Sequence, residues 1–384
     1  MPYLLDHPPA IEPTAFRPHS PRQLTAPASA AWLDPRRINV DPPPLPPETL
    51  DALTRGHLTA VNRLHPRWQD ALAFITPTPA KKRVHLLAVG DVGGTLLTAL
   101  KLLGGDVIST IGICDLNEKT VARWTAEMGQ IAWPWDYDAL PAVEPVTQEA
   151  LFDCDVFIFA ATKAIPPVGS AVQDVRMAQL EANQPLAASF ARQARAADFR
   201  GLFMVLSDPV DQLCRAVWEA SNTGPDGQID HKGLLPEQVQ GFGLGVMNAR
   251  AAYFAKQDPR FADFLTEGRS FGPHGKGLVI ANSIEHYDDA LSQELTRLTL
   301  EANLRIRDLG FKPYVAPAVS SGAMQLLLTL RGAWHCSSVP LGGAWFGVRN
   351  RFTRYGLEIE SQPLPDALFQ RLQETERLLK EAAP

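Results

Sequence analysis

The stretch RVHLLAVGDVGGTLLTALKLLG, Arg83–Gly104, joins a short apolar strand to a helix through a glycine turn. The residues before the turn have the length and composition of a buried strand, and those after it carry apolar side chains at helical spacing. Gly90 and Gly93 stand at the junction, where the backbone of a helix N-terminus can approach an anionic group closely. Ala88 occupies the first glycine position of the usual GxGxxG pattern. The stretch therefore predicts a strand–turn–helix unit with an incomplete phosphate-binding turn.

Strand and helix patterns alternate in the chain that follows. Buried strands alternating with helices of this length predict an α/β fold with a Rossmann-type, doubly wound parallel sheet that is covered on both faces. After Gly245, long helices and the hairpin-like segment GGAWFGVRNRFTRYGLEIES predict a second domain of the α+β type. The alternating segments of the first domain are STIGICDL, NEKTVARWTAEMG, FDCDVFIFAAT, DVRMAQLEANQPLAASFARQARAA and FRGLFMVLSDP.

The chain divides into three predicted segments. Residues 1–80 form a proline-rich N-terminal arm that holds about half of the 33 prolines, including the run DPPPLPP at Asp41–Pro47. Because proline lacks the amide donor and fixes φ, we expect this arm to be extended, with one short amphipathic helix within Glu48–Leu64, and to wrap the same chain or a neighbour. Residues 81–243 are predicted to form a nucleotide-binding domain of the Rossmann type, and residues 244–384 a C-terminal substrate and catalytic domain.

Composition excludes several classes of protein. With 384 residues, 45% hydrophobic and 20% charged, the chain can bury sizeable cores. A formal net charge of −6 does not supply the basic field that nucleic-acid binding requires. No apolar run has the length of a membrane span, and the start of the sequence lacks the pattern of a secretory signal, so we predict a cytoplasmic protein without a membrane partner. No cysteine pair has CxxC spacing, so neither a disulfide framework nor a metal site is predicted; the four cysteines are Cys114, Cys154, Cys214 and Cys336.

Asp115 makes the glycine turn more informative. It stands at the end of the second strand, 22 residues after Gly93. An acid at this place can accept hydrogen bonds from the adenosine ribose hydroxyls, and its charge repels a 2′-phosphate. The pattern therefore favours NAD over NADP as cofactor. An alternative is that Asp115 caps the helix that follows it.

Five segments, read in order, resemble the L-lactate and malate dehydrogenase family, and the resemblance runs from Lys81 to the C-terminus. Arg176 precedes Asn183 by seven residues, and Arg250 precedes His274 by 24, the spacings that this family keeps for its functional residues. The five segments are DVFIFAAT, DVRMAQLEAN, VLSDPVDQL, GFGLGVMNAR and GPHGKG.

The resemblance implies an NAD-dependent dehydrogenase of 2-oxo and 2-hydroxy acids, with the α+β substrate domain of that family and a homodimer or homotetramer as assembly. His274 would exchange a proton with the substrate oxygen. Arg250 would hold the substrate carboxylate bidentately, and Asn183 would contact the substrate. Arg176, on a loop that closes over the substrate, would polarise the carbonyl. The implied cofactor contacts are Gly90, Val92, Gly93, Asp115 and Ala160.

The chain departs from the family pattern on the substrate side. The aspartate that pairs with the histidine in the family is replaced by Met247, and an asparagine that contacts the substrate is replaced by Asp208. Our hypothesis is that Asp208 becomes the carboxylate partner of His274 and so takes part in catalysis. The rival interpretation is that Asp208 binds a cationic group of the substrate, such as an amine. The segment Lys163–Gln173 is also longer than the corresponding loop of the family.

These changes predict an NAD-dependent dehydrogenase that acts on a 2-oxo or 2-hydroxy acid other than lactate or malate, larger or amine-bearing. Lys312 is either a further substrate contact or a solvated lysine. Two other functions remain open at this stage. A pseudo-enzyme or NAD sensor would keep the fold without turnover. An NAD-dependent glycosidase would need a divalent metal ion, and no motif links Cys214 and His274 into such a site.

Overall fold

The computed structural model describes residues 1–74, 80–163 and 175–382, except for the side chains of residues 175–178. None of the helices in these residues has an apolar stretch long enough to cross a membrane. The strands are β1 Pro2–Leu5, β2 Ala15–Phe16, β3 Thr59–Asn62, β4 Lys82–Leu87, β5 Ile108–Cys114, β6 Ala142–Pro145, β7 Val156–Phe159, β8 Leu202–Val205, β9 Val239–Gly241, β10 Arg269–Phe271, β11 Val279–Ala281, β12 His335–Leu341, β13 Ala344–Thr353 and β14 Gly356–Ile359. The helices are α1 Pro47–Thr54, α2 Trp68–Phe74, α3 Asp91–Leu103, α4 Glu118–Gly129, α5 Val175–Ala196, α6 Val210–Asn222, α7 Leu244–Ala255, α8 Asp289–Asp308, α9 Ala318–Ser321, α10 Ala323–Leu330 and α11 Asp366–Glu381.

Six parallel strands form the centre of the molecule, in the order β6-β5-β4-β7-β8-β9. Strands β7 and β8, VFIF and LFMV, are buried along their whole length because helices cover both faces. Side chains of α3 and α10 pack on one face, and those of α5 and α6 on the other. This arrangement confirms the predicted doubly wound α/β fold. The strand order reverses between β4 and β7, which is where such sheets bind ligands.

The second half of the chain is α+β, as predicted. Strand β12 continues the sheet antiparallel to β9, and β13 and β14 follow as an antiparallel hairpin. Strands β10 and β11 form a separate antiparallel pair. Helices α7 and α8 enclose an apolar cluster that includes Met247, Phe254, Phe264 and Leu295. The predicted domain boundaries at residues 80 and 243 stay predictions. A single continuous sheet contains strands from all three predicted segments.

The N-terminal residues wrap their own chain and extend its sheet. Strand β2 pairs with β14 through Phe16 and Leu357, and β3 and β1 follow it outward. The helix predicted within Glu48–Leu64 is correct only for its first part. Helix α1 ends at Thr54, Gly56 turns the chain with a φ of +68°, and β3 follows. A glycine in the left-handed region ends a helix readily, and β-branched residues then favour a strand.

Glu237 fixes the N-terminal residues to the rest of the sheet. It lies two residues before β9, and its buried carboxylate accepts hydrogen bonds from the backbone N–H groups of Thr14 and Ala15, each at 3.0 Å. Burial raises the pKa of Glu237 to about 7, although these hydrogen bonds act in the opposite direction. The residue that attaches the N-terminal residues to the sheet, Glu237, is therefore a buried titratable group.

We predict that Glu237→Gln changes the pH dependence of stability. Between pH 4.5 and about 7 the native carboxyl of Glu237 holds its proton whereas the unfolded one does not. The free energy of unfolding of the wild type, relative to Glu237→Gln, should therefore fall by roughly 3 kcal/mol as the pH rises through this window. Urea unfolding measures it, with the exposed Glu285→Gln as control. A difference between wild type and Glu237→Gln that does not vary with pH would contradict the prediction.

Candidate active site

The turn between β4 and α3 keeps the geometry of a phosphate-binding turn despite Ala88. Ala88 has a φ of +72°, a conformation that normally favours glycine. A Cβ on Gly93 would lie 2.0 Å from the carbonyl oxygen of Ala88, so the close approach of helix and strand requires glycine there. Gly90 differs: its φ is −72° and a Cβ would meet no atom within 4 Å. Nothing in the protein itself requires a glycine at position 90, and the space beside it is open to a ligand.

Asp115 ties the end of β5 to this turn. Its carboxylate accepts hydrogen bonds from the backbone N–H of Val89 at 2.9 Å and of Asn117 at 3.0 Å. Helix α4 is capped by the side chain of Asn117. Two predicted cofactor contacts lie at the same edge of the sheet: Val92 in the first turn of α3, and Ala160 directly after β7.

His274 and Asp208 are in contact, although they are distant in the sequence. Asp208 follows β8, and His274 lies in the loop between β10 and β11. Nδ1 of His274 is 3.1 Å from Oδ1 of Asp208. A carboxylate on Nδ1 favours the tautomer with the proton on Nδ1 and the lone pair on Nε2, the nitrogen that can exchange a proton with a ligand. The structure thus brings together the two residues that the sequence could only suggest as partners.

Asp211 is a further residue next to the histidine that the sequence analysis did not single out. It is buried in the first turn of α6, where its carboxylate accepts a hydrogen bond from the hydroxyl of Ser338 and lies close to the backbone N–H of His274. Burial raises the pKa of Asp211 to about 6, while the polar groups around the carboxylate and the charge of His274 oppose the rise. The signal was present in VLSDPVDQL, where Asp211 stands three residues after Asp208. Asp211 thus lies beside the loop that carries His274.

Arg250 projects from α7 with a half-buried guanidinium. Desolvation lowers the pKa of Arg250, and the nearby charge of Asp208 opposes this shift. Within residues 1–74, 80–163 and 175–382, the guanidinium has neither a hydrogen bond nor an ion pair. A desolvated guanidinium whose N–H groups have no hydrogen-bond acceptor among these residues is unfavourable, so this group is suited to bind an anion.

The chain is similar in sequence to known dehydrogenases. No family model matches the chain. In sequence it is 26% identical, over 194 residues, to an L-lactate dehydrogenase of Staphylococcus saprophyticus, a match that covers 50% of this chain and 54% of that protein. It is also 24% identical, over 246 residues, to an L-lactate dehydrogenase of Corynebacterium jeikeium, covering 62% of this chain and 69% of that one. The first match spans about half the length of its relative.

Solved structures agree with these matches. The fold is similar to a minor L-lactate dehydrogenase from Enterococcus mundtii, with a TM-score of 0.62 at 20% identity over 78% of this chain and 97% of that chain. It is similar to the malate dehydrogenase from Aeropyrum pernix, with a TM-score of 0.62 at 17% identity over 78% of this chain and 98% of that chain. The chain thus resembles L-lactate dehydrogenases in sequence and shares the fold of lactate and malate dehydrogenases. Nearly all of each solved chain is matched, so this chain carries residues that have no counterpart there.

Two positions that the sequence analysis singled out are buried within the protein. Met247 is buried in the apolar cluster between α7 and α8. Asn183 is fully buried: its amide donates to the backbone oxygen of Asp208 at 2.9 Å and to Thr162, and its carbonyl accepts from the backbone of Lys163. Asn183 thus supports the backbone of Asp208, and its predicted contact with a substrate stays a prediction.

Of the remaining predicted residues, some lie outside the described part of the structure, and Lys312 lies within it. Residues 164–173 of the long loop and the side chain of Arg176 lie outside the described residues. Lys312 forms an ion pair through its ammonium with Asp91, the first residue of α3. The structure therefore places Lys312 at the glycine turn, and its predicted contact with a substrate stays a prediction.

We predict that Asp208→Asn lowers kcat for reduction of a 2-oxo acid by at least about a hundredfold, since the imidazole loses the partner that fixes its tautomer. Nitrogen NMR of the His274 ring should show the proton on Nδ1 in the wild type and a mixture of tautomers in the variant. The control is Glu267→Gln, which removes a comparable contact, 2.9 Å long, from the exposed His286. An unchanged His274 tautomer in Asp208→Asn would exclude the pairing.

Proposed function

We propose that the protein is an NAD-dependent oxidoreductase that transfers a hydride between nicotinamide and a 2-oxo or 2-hydroxy acid. The observation that carries this proposal is the guanidinium of Arg250 beside the His274–Asp208 pair, with no hydrogen bond to any residue that the structure describes. One group can bind a carboxylate, and the other can exchange a proton with a neighbouring oxygen. A 2-oxo acid presents a carboxylate and a carbonyl oxygen on adjacent carbons, which matches the two groups.

The glycine turn fits the cofactor. The open space at Gly90 and the first turn of α3 suit the pyrophosphate, because unpaired N–H groups and the helix dipole favour an anion there. Asp115 retains acceptor capacity for ribose hydroxyls, and its charge disfavours a 2′-phosphate. The residues that would hold NAD are Gly90, Val92, Gly93, Asp115 and Ala160. When bound, the nicotinamide supplies or accepts the hydride.

The protein's own residues account for binding, orientation and proton transfer. Arg250 would hold the carboxylate through two parallel hydrogen bonds and so fix the direction of the adjacent carbonyl. As the carbonyl carbon gains a hydride, its oxygen takes the proton from Nε2 of His274; oxidation reverses both transfers. Asp208 would stabilise the imidazolium, which precedes proton donation. Arg176 would stabilise the charge that develops on the oxygen.

The substrate is proposed to differ from lactate and malate. Asp208 adds a carboxylate where the resemblance implies an amide, and the segment Lys163–Gln173 provides a longer loop. A negative charge next to the substrate favours a 2-oxo acid that is larger or carries an amine. The family relationship further supports a homodimer or homotetramer.

The test is NADH consumption with a panel of 2-oxo acids that differ in side-chain length and in the presence of an amine. We expect turnover with at least one member, and a KM that rises about tenfold in Arg250→Lys and further in Arg250→Gln, since lysine keeps the charge without bidentate geometry. The affinity for NADH should not change. A protein that binds NADH but consumes it with no 2-oxo acid would instead be a sensor without turnover.

A further inference from the structure

Lys312 belongs to the segment between α8 and α9, and it reaches across to the start of α3. Its ammonium contacts the carboxylate of Asp91, which is the first residue of α3 and directly follows Gly90. Only the side chain of Asp91 therefore separates the ammonium from the first backbone N–H groups of α3. No motif in the sequence connects Lys312 with the glycine turn.

The ion pair has an unusual electrostatic setting. A carboxylate in the first turn stabilises the helix dipole, so Asp91 favours the folded helix. The same position is where the pyrophosphate of a dinucleotide would bind, and an uncompensated carboxylate there would repel it. Lys312 is the cation that cancels this repulsion. Both side chains are more than half exposed, at 62% and 52%, so the pair itself contributes little to stability.

The segment does not need Lys312 in order to pack on α3. Arg331, beyond α10, forms a bidentate ion pair with Asp106 just past the C-terminus of α3, with both contacts at 2.7 Å. Between the two ion pairs, Gly322 packs against Leu96 of α3. Each end of α3 thus forms an ion pair with a residue of the segment from Lys312 to Arg331. Of these two ion pairs, only the one between Lys312 and Asp91 lies at the glycine turn.

We propose that Lys312 is a ligand of the cofactor pyrophosphate, held at the glycine turn by Asp91 until the dinucleotide binds. This inference rests on the proposed function, since it assigns a further binding residue to the same cofactor site. On binding, the ammonium exchanges the carboxylate oxygen of Asp91 for a phosphate oxygen. A residue from the C-terminal half would then sense whether the cofactor is present in the nucleotide-binding half.

The test compares NADH affinity in three variants by titration calorimetry, with adenosine as a probe that has no phosphate. Lys312→Ala should weaken NADH binding about tenfold and reduce its dependence on salt, without changing adenosine binding. Asp91→Asn should bind NADH more tightly than the wild type, because the repulsion is removed and Lys312 is released. Arg331→Ala, the matched control at the other end of α3, should bind NADH as the wild type does.

The two effects in opposite directions separate a ligand from a structural ion pair. If the pair only stabilised α3, both Lys312→Ala and Asp91→Asn would weaken binding. An unchanged NADH affinity in Lys312→Ala, or an Asp91→Asn variant that binds NADH no more tightly than the wild type, would overturn the inference. A wild-type protein that binds no NADH would contradict the proposed function itself.

Discussion

The hydrogen bond between Nδ1 of His274 and the carboxylate of Asp208 joins the two halves of the chain at the candidate site. Asp208 follows a strand of the parallel half, and His274 lies in a loop of the second half, so the packing of the two halves sets the position of the ring. Asp211 adds a second contact between the halves, since its carboxylate accepts a hydrogen bond from Ser338 and lies close to the backbone N–H of His274. Proton transfer requires an oriented imidazole, and the proposed chemistry therefore depends on this arrangement.

The similarity to lactate and malate dehydrogenases and the departures from them fall on different sides of the site. On the cofactor side, the glycine turn keeps its backbone conformation even with Ala88 at a φ of +72°. On the substrate side, position 247 has become part of an apolar core, and the carboxylate next to the histidine comes from Asp208 instead. A carboxylate that belongs to a different element of the fold can still contact Nδ1 of His274. The contact to the ring is what the chemistry needs, whichever element supplies it.

Much of the fold could be predicted, because β4, α3, β5 and α4 carry strong local patterns of burial and turn residues. The strands of the N-terminal residues could not, since β2 has two residues and its partner Leu357 is far away in the sequence. The same limit applies to the site. Motif spacing indicated Arg250 and His274, whereas the ion pair of Lys312 and the role of Asp211 depend on tertiary contacts. Local sequence carries no record of these contacts.

The most direct measurement is a crystal structure with NADH and an unreactive analogue of a 2-oxo acid. We predict that the carboxylate of the analogue forms two hydrogen bonds with Arg250, and that Nε2 of His274 lies within hydrogen-bond distance of the carbonyl oxygen. The contact between His274 and Asp208 should persist. An analogue bound away from Arg250, or an imidazole whose Nε2 points away from the analogue, would contradict the central claim.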